Sequence, residues 1–385
     1  MRTRIGDIEI LRGIAVLMVV FHHASGNLFT WTTPNMERFY AYFSGWVGVD
    51  LFFAISGFVI ARDLVPRLLA APRGEATTRM VLAFWVRRAW RLLPSAWLWL
   101  LVMLVASLAV NQTGAFGPFR TNLEATVAGL LQVANFRFAE AFMQWPYGAS
   151  FVYWSLSLEE QFYLLFPLVI LLARRYLLHA MILLVLLQFF LVRTPALMAF
   201  RTDALALGVL LALWTQHSSY LLFKPDFLER HKYGLAVLLV ALICLWVLGS
   251  GQLRSVNIKI GMIALISAAL VWVASYDRGY LGFPKILSNL LIWFGSRSYA
   301  IYLIHIPAFY FTRELWFHTD AAAQGFNEDF FYPFVITAFL LIVVLSELNY
   351  RLLEAPLRDY GKRAALRIRD GSDGFADMSD SVRSK

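Results

Sequence analysis

An all-α, polytopic transmembrane helical bundle of about ten spans, with both termini cytoplasmic, is the fold class this sequence predicts. Three observations carry that expectation. Hydrophobic residues make up 59% of the chain and charged residues only 15%, against about 45–50% and 25% in soluble domains, and the mean hydropathy is +0.62. Apolar runs long enough to cross a bilayer recur from end to end. The Lys and Arg residues concentrate in alternate connecting segments, as the positive-inside rule requires of cytoplasmic loops.

In chain order, the apolar runs lie near 8–28, 44–62, 90–110, 155–173, 177–193, 203–217, 233–250, 257–276, 297–314 and 331–352. The stretch 122–137 is ambiguous, because it is short and carries Glu124, Gln132 and Asn135. With ten spans, Arg2, Arg4, the Arg62–Arg91 cluster, Arg174, Arg175, Lys232 and the basic C-terminal segment share one side, whereas Arg254 falls on the other. An eleventh span would invert everything after it, so 122–137 is expected to be re-entrant or interfacial. The formal charge of +9 thus reports topology and gives no sign of a nucleic-acid partner. The single cysteine, Cys244, lies in an apolar run and reads as a small hydrophobe, which excludes a disulfide framework. The start resembles a signal peptide, but Glu9 and Arg12 interrupt its apolar region, so an uncleaved first span is expected. The segment after about 364 is polar and is expected to be disordered. Nothing in the sequence fixes an oligomeric state.

Several polar constellations interrupt the apolar runs. Arg12 and His23 are eleven residues apart, three turns plus about 20°, so they project from one face of the first helix about 16 Å apart. Ionisable groups inside a bilayer-length segment are costly and default to function; the competing reading is a snorkelling Arg and a packed His. Arg87, Arg88 and Arg91 fall on one helical turn between Trp85 and Trp90, which suits a polyphosphate, since guanidinium binds phosphate bidentately. An ordinary cytoplasmic cluster with interfacial tryptophans has the same spacing. In the second span, Gly45, Gly48, Ser56 and Gly57 permit close helix approach. Asp50 sits in the same run, where it needs a cation or a His, and His23 is at similar depth. Ser157 and Glu160 have capping-box spacing, which leaves Glu159 as the carboxylate free to act as general base or to accept from a sugar hydroxyl. Asp203 stands in a first helical turn beside Arg201, where the helix dipole favours it. Tyr302 and His305 are one turn apart ahead of Pro307. The chain carries no Walker loop, no metal-ligand His spacing and no Gly-x-Ser-x-Gly elbow.

Divided by depth, Arg12, Arg87, Arg88 and Arg91 belong to the inner side, and His23, Asp50, Glu159, Arg201, Asp203 and His305 to the middle or outer half. That division suggests an anionic ligand held from the cytoplasm and chemistry deeper in. A proton-coupled glycan or lipid transporter would also want buried His, Asp and Glu, but not the arginine cluster; a non-catalytic scaffold would need neither.

Five motifs occur together and in order: Leu11-Arg12-Gly13-Ile14-Ala15 with His23; Gly48-Val-Asp50-Leu-Phe-Phe-Ala-Ile-Ser-Gly57-Phe58; Arg87-Arg88-x-x-Arg91; Trp154-Ser-Leu-x-x-Glu159-x-Gln-Phe-Tyr163; and Ser298-Tyr299-x-x-Tyr302-Leu-x-His305. They resemble the acyltransferase-3 family of integral membrane acyltransferases over roughly residues 5–360, with residues 361–385 as a basic, then polar, cytoplasmic tail. The family's Arg or Lys, ten residues, then His falls on Arg12 and His23 rather than His22. Glu9 stands near where many members have Asp. The resemblance is to the stand-alone subtype without a C-terminal esterase-like domain.

The resemblance implies a transferase of the bacterial inner membrane that moves an acyl group, first of all acetyl, from cytoplasmic acyl-CoA to a sugar hydroxyl of a surface polysaccharide such as a lipopolysaccharide or exopolysaccharide, or of a lipid-linked glycan. A macrolide-type sugar is the alternative acceptor. Arg12, Arg87, Arg88 and Arg91 would hold the donor's phosphates, with acetyl-CoA as co-substrate and no metal. His23 would be general base or acyl carrier, Asp50 would fix its tautomer, and Glu159, Arg201, Asp203, Tyr302 and His305 would orient the acceptor.

Overall fold

The computed structural model describes residues 5–370 apart from 143, 192, 232, 254–257 and 320–324. Arg2, Arg4, Lys232, Arg254 and the polar segment 371–385 lie outside the described residues. The described chain is helical: α1 (Gly6–Asn27), α2 (Pro34–Tyr42), α3 (Gly48–Ala70), α4 (Glu75–Ala109), α5 (Phe119–Leu130), α6 (Ala134–Ala141), α7 (Tyr153–Ala173), α8 (Leu177–Phe190), α9 (Pro195–Met198), α10 (Asp203–Trp214), α11 (Ser219–Leu222) and α12 (Asp226–His231). There follow α13 (Gly234–Gly249), α14 (Lys259–Ser275), α15 (Lys285–Ser296), α16 (Ser298–Phe317), α17 (Phe331–Asn349) and, beyond a π-helical turn at Tyr350–Glu354, α18 (Ala355–Asp370).

Helices α1, α3 and α16 form the centre, and their close packing depends on small residues. Gly57 on α3 lies against the backbone of Leu205 on α10, and Gly208 lies against Ala54 in return, so a Cβ at either glycine would strike a main-chain carbonyl. Gly13 on α1 and Gly295 on α15 make the same reciprocal contact. The start of α1 is tied across the molecule: Asp277 Oδ1 accepts from Gly6 N at 2.8 Å, and Asp7 Oδ2 accepts from Gly279 N at 3.0 Å. The first of these bonds satisfies a first-turn donor that the helix itself leaves open.

By length and composition, five described helical runs suffice to cross a bilayer, or six if the bent pair Asp203–Trp214 and Ser219–Glu229 is one span. The described helices therefore reach ten spans only with shorter apolar segments such as α13 and α14. The runs expected near 155–173 and 177–193 fall in one 38-residue candidate run, Tyr153–Phe190, which breaks at Arg174, where φ is +39°, and resumes through the short turn Arg174–Tyr176. The ambiguous stretch 122–137 falls on α5 and α6, of 12 and 8 residues, and neither could cross alone. A reciprocal amide pair between Asn135 and Gln161, 3.2 and 2.8 Å, fastens α6 to α7.

One local expectation is corrected. Helix α7 begins at Tyr153, so Ser157 and Glu160 stand inside it and form no capping box; Ser157 Oγ instead accepts from Ala134 N at 3.2 Å. The helix starts early because Tyr153 is anchored, its hydroxyl donating to the Ala96 carbonyl at 2.9 Å. At the other end, α18 runs through Asp370, with Gly361 against Trp90 and Ala365 buried on α4.

Candidate active site

A cavity of about 510 Å³ opens at one end of the bundle between α1, α3, α4, α15 and α18. Eight basic side chains line it, Arg12, Arg62, Arg67, Arg87, Arg88, Arg91, Arg358 and Lys362, against three acidic ones, Glu9, Asp63 and Glu354. Some of that charge is paired: Asp63 accepts from Arg87 at 3.1 Å and Arg67 at 2.6 Å, and Glu9 lies 3.6 Å from Arg12. Arg88 lies over the ring of Tyr163 at 5.1 Å. The Nε atoms of Arg12, Arg88 and Arg358, with Glu9 Oε2 and Glu354 Oε1, are buried with no hydrogen-bond partner among the described residues. An excess of partly buried cations with unfilled Nε donors favours an anion that completes it, and guanidinium groups match phosphate. The four expected arginines, Arg12, Arg87, Arg88 and Arg91, thus converge on one cavity. Sequence reasoning missed Arg62, Arg67, Arg358 and Lys362 as members; Lys362 comes from the segment expected to be tail, and only the packing of α18 on α4 brings the last two in.

A narrower cavity of about 80 Å³ continues inward. Both cavities are bordered by Arg12, Val59, Arg88, Arg91, Ser298 and Tyr299. Beyond those residues the narrow cavity is lined by Ser56, Ser155, Glu159, Tyr163 and Tyr302. Glu159 Oε1 accepts from both Ser56 Oγ and Tyr163 OH. Ser155 and Tyr302 hydroxyls share a bond of 2.6 Å. Glu159 is therefore held on the arginine side of the site, two turns along the chain from Phe151, whose ring meets that of His23 edge-on at 5.2 Å.

His23 Nδ1 lies 2.9 Å from His305 Nε2, joining α1 to α16, while His305 Nδ1 lies 3.2 Å from the Ile301 carbonyl. A carbonyl only accepts, so Nδ1 of His305 carries its proton. In the neutral ring Nε2 is then an acceptor, and His23 must donate from Nδ1. His305 is fully buried and His23 only partly so. The chain of bonds from Ile301 through His305 leaves the lone pair of His23 on Nε2.

The expected pairing of Asp50 with His23 is not found. Asp50 accepts both arms of Arg201, at 2.9 and 3.0 Å, with both residues buried. Arg201 is enclosed by the rings of Trp46 and Trp154, 5.2 and 4.9 Å away. Asp203 pairs with Arg193 at 2.9 Å. Similar depth says nothing about rotation about the helix axis, and Asp50 faces the segment leading into α10, not α1. Arg201 and Asp203 belong to this charge-balanced network and line none of the cavities described here.

On the far side of the histidine pair lies a third cavity, of about 350 Å³, bordered by Asn27, Phe151 and Tyr310. Three helices give the same order independently: Arg12, His23, Asn27 on α1; Tyr302, His305, Tyr310 on α16; and, running the other way, Phe151, Ser155, Glu159 at the start of α7. The imidazole pair stands between a polybasic cavity and an uncharged one.

Comparison with known proteins agrees in kind. The family model described as "Acyltransferase domain" matches residues 5–347. "Putative peptidoglycan O-acetyltransferase YrhL" of Bacillus subtilis (strain 168) is 27% identical over 382 residues, 92% of this chain and 55% of that protein. "O-acetyltransferase OatA" of Staphylococcus aureus (strain NCTC 8325 / PS 47) is 26% identical over 381 residues, 92% of this chain and 57% of that protein. The chain therefore spans little more than half the length of these curated relatives. No solved structure matches it.

Proposed function

Because the chain belongs to the acyltransferase-3 family, whose members are embedded in membranes, we propose that it is an O-acyltransferase of the bacterial inner membrane. It moves an acyl group, acetyl first, from acyl-CoA to a sugar hydroxyl of a surface polysaccharide or lipid-linked glycan. The observation that carries this reading is the histidine pair standing between a polybasic cavity and an uncharged one. The names of the relatives support acetyl as the group and a cell-wall glycan as the acceptor class.

In this reading the basic end faces the cytoplasm, in keeping with the positive-inside rule. The donor's phosphates sit among Arg12, Arg62, Arg87, Arg88, Arg91, Arg358 and Lys362. Its pantetheine arm extends through the narrow cavity past Glu159 and Tyr302, bringing the thioester to His23, about 16 Å from Arg12 along α1. His23 Nε2 takes the proton of the acceptor hydroxyl while that oxygen attacks the thioester carbonyl. The carbon–sulfur bond breaks, and the departing thiolate recovers the proton from His23. The bond to His305 holds the ring in the tautomer this needs and steadies the transient imidazolium, the part first expected of Asp50. Glu159 keeps Ser56 and Tyr163 in place along the donor's path.

The test is transfer of labelled acetyl from acetyl-CoA to glycan by the full chain in proteoliposomes. His23→Ala should lower transfer by about 10²-fold or more while leaving insertion and CoA binding intact. Wild-type rates in that variant would overturn the assignment.

A further inference from the structure

We propose that the uncharged cavity beyond the histidine pair is a preformed saccharide subsite that presents the acceptor hydroxyl to His23; the proposal rests on the function argued above. The cavity, about 350 Å³, falls within the usual range for ligand sites. Its lining includes no Asp, Glu, Lys or Arg among the described residues, in contrast to the eight basic residues at the other end. Besides Tyr310, six aromatic side chains, Phe116, Phe138, Phe142, Trp145, Tyr147 and Phe151, form its walls. Trp145 and Phe142 are exposed, at 48% and 42%. Hydrogen-bonding groups stand among these faces: Asn27 and Tyr310, joined at 2.8 Å, and Thr121. Flat apolar faces interspersed with uncharged donors and acceptors match a pyranose ring, which has C–H faces and a rim of hydroxyls. A lipid tail would have no use for the polar groups, and the nearest cations, Arg313 at 3.4 Å from the Asn27 carbonyl and Arg137 over the Tyr147 ring at 5.4 Å, are outside the cavity's lining.

The loops that shape the cavity are held from behind by residues with no other evident role. Buried Asn122 donates to the carbonyls of Phe116 and Pro118, at 2.6 and 3.1 Å, and accepts from Ala149 N at 2.9 Å. Glu314 accepts from the backbone N–H groups of Gln112 and Thr113, at 2.9 and 3.0 Å, and Asn111 accepts from Phe116 N at 2.9 Å. Ordering both loops in advance removes that entropy cost from binding. The cavity reaches the chemistry at two points. Phe151 touches the His23 ring, and Asn27 donates to the His23 carbonyl at 2.9 Å.

The experiment uses the full chain in lipid nanodiscs, with chitotriose as the saccharide probe and labelled acetyl-CoA as donor. Trp145→Ala removes an exposed ring, so folding is spared. Loss of an aromatic anchor should raise KM for chitotriose at least about tenfold, leave KM for acetyl-CoA unchanged, and be restored by Trp145→Phe. An unchanged chitotriose KM in Trp145→Ala overturns the subsite. If wild-type protein transfers nothing to chitotriose, its binding is read directly by saturation-transfer NMR. Binding that Trp145→Ala abolishes keeps the subsite and overturns the transferase reading; no binding overturns the subsite. Capture of a photoactivatable phospholipid tail in the cavity, uncontested by chitotriose, also overturns it.

Discussion

His305 acts on the proposed chemistry only through His23: its Nδ1 proton goes to the Ile301 carbonyl, its Nε2 receives the proton of His23 Nδ1, and the base is left on His23 Nε2. His305→Ala should therefore lower kcat by about 10²-fold with little change in either KM. His305→Asn, whose amide oxygen can accept the same proton, should recover part of the loss. Nitrogen-15 NMR of wild-type His23 should report the proton on Nδ1; a proton on Nε2 would contradict the relay. The sequence marked both histidines as intramembrane and polar. It could not pair them, because they are 282 positions apart and their contact depends on how α1 and α16 are rotated against each other. Asp50 shows the converse: its residue type and depth were legible, but its partner came from the segment before α10.

At the scale of elements, α18 changes the donor site most. From residue 361 its sequence reads as the start of a basic tail, with Lys362, Arg363, Arg367 and Arg369 close together. Only packing against α4, through Gly361 on Trp90 and buried Ala365, makes it a wall of the basic cavity. Replacing Arg358 and Lys362 together by Ala should raise KM for acetyl-CoA about tenfold, as loss of two phosphate contacts would. The kcat and the acceptor KM should stay near wild type. An equal fall in kcat would instead make α18 part of the catalytic framework. The Arg87–Arg91 turn was readable because a helical spacing of three and four needs no tertiary information. Glu160 was misread for a related reason: the capping-box spacing occurs inside helices as well as at their starts, and only Tyr153 and its anchor on Ala96 show where α7 begins.

Across the whole molecule, the Asp50–Arg201 and Arg193–Asp203 pairs set two cations against two anions in the interior. Breaking one partner leaves a buried charge uncompensated, at a cost of about 3–5 kcal/mol, whereas removing both together is far less damaging. Asp50→Ala should therefore lower the thermal midpoint in detergent markedly, and Asp50→Ala with Arg201→Met should restore most of it. If Asp50→Ala spares stability and removes transfer, Asp50 belongs to the chemistry after all. The division of the molecule into a polybasic end, a central imidazole pair and an uncharged aromatic end exists only at this scale. Single helices pass through all three in order, α1 at Arg12, His23 and Asn27, but only the packing of several helices closes each cavity and pairs the imidazoles.

The sequence by itself determined the helical class, the family and the polar residues that interrupt the apolar runs, because apolar runs and short-range motifs are written in consecutive positions. It also fixed the Arg12–His23 stripe, since both residues ride one helix and their phase follows from helical geometry. The tertiary structure decided which charges neutralise one another, which histidine orients which, and where the cavities open. These depend on rotation and contact between helices hundreds of residues apart, set by close approaches such as Gly57 on Leu205 and Gly13 on Leu291, which local periodicity does not encode.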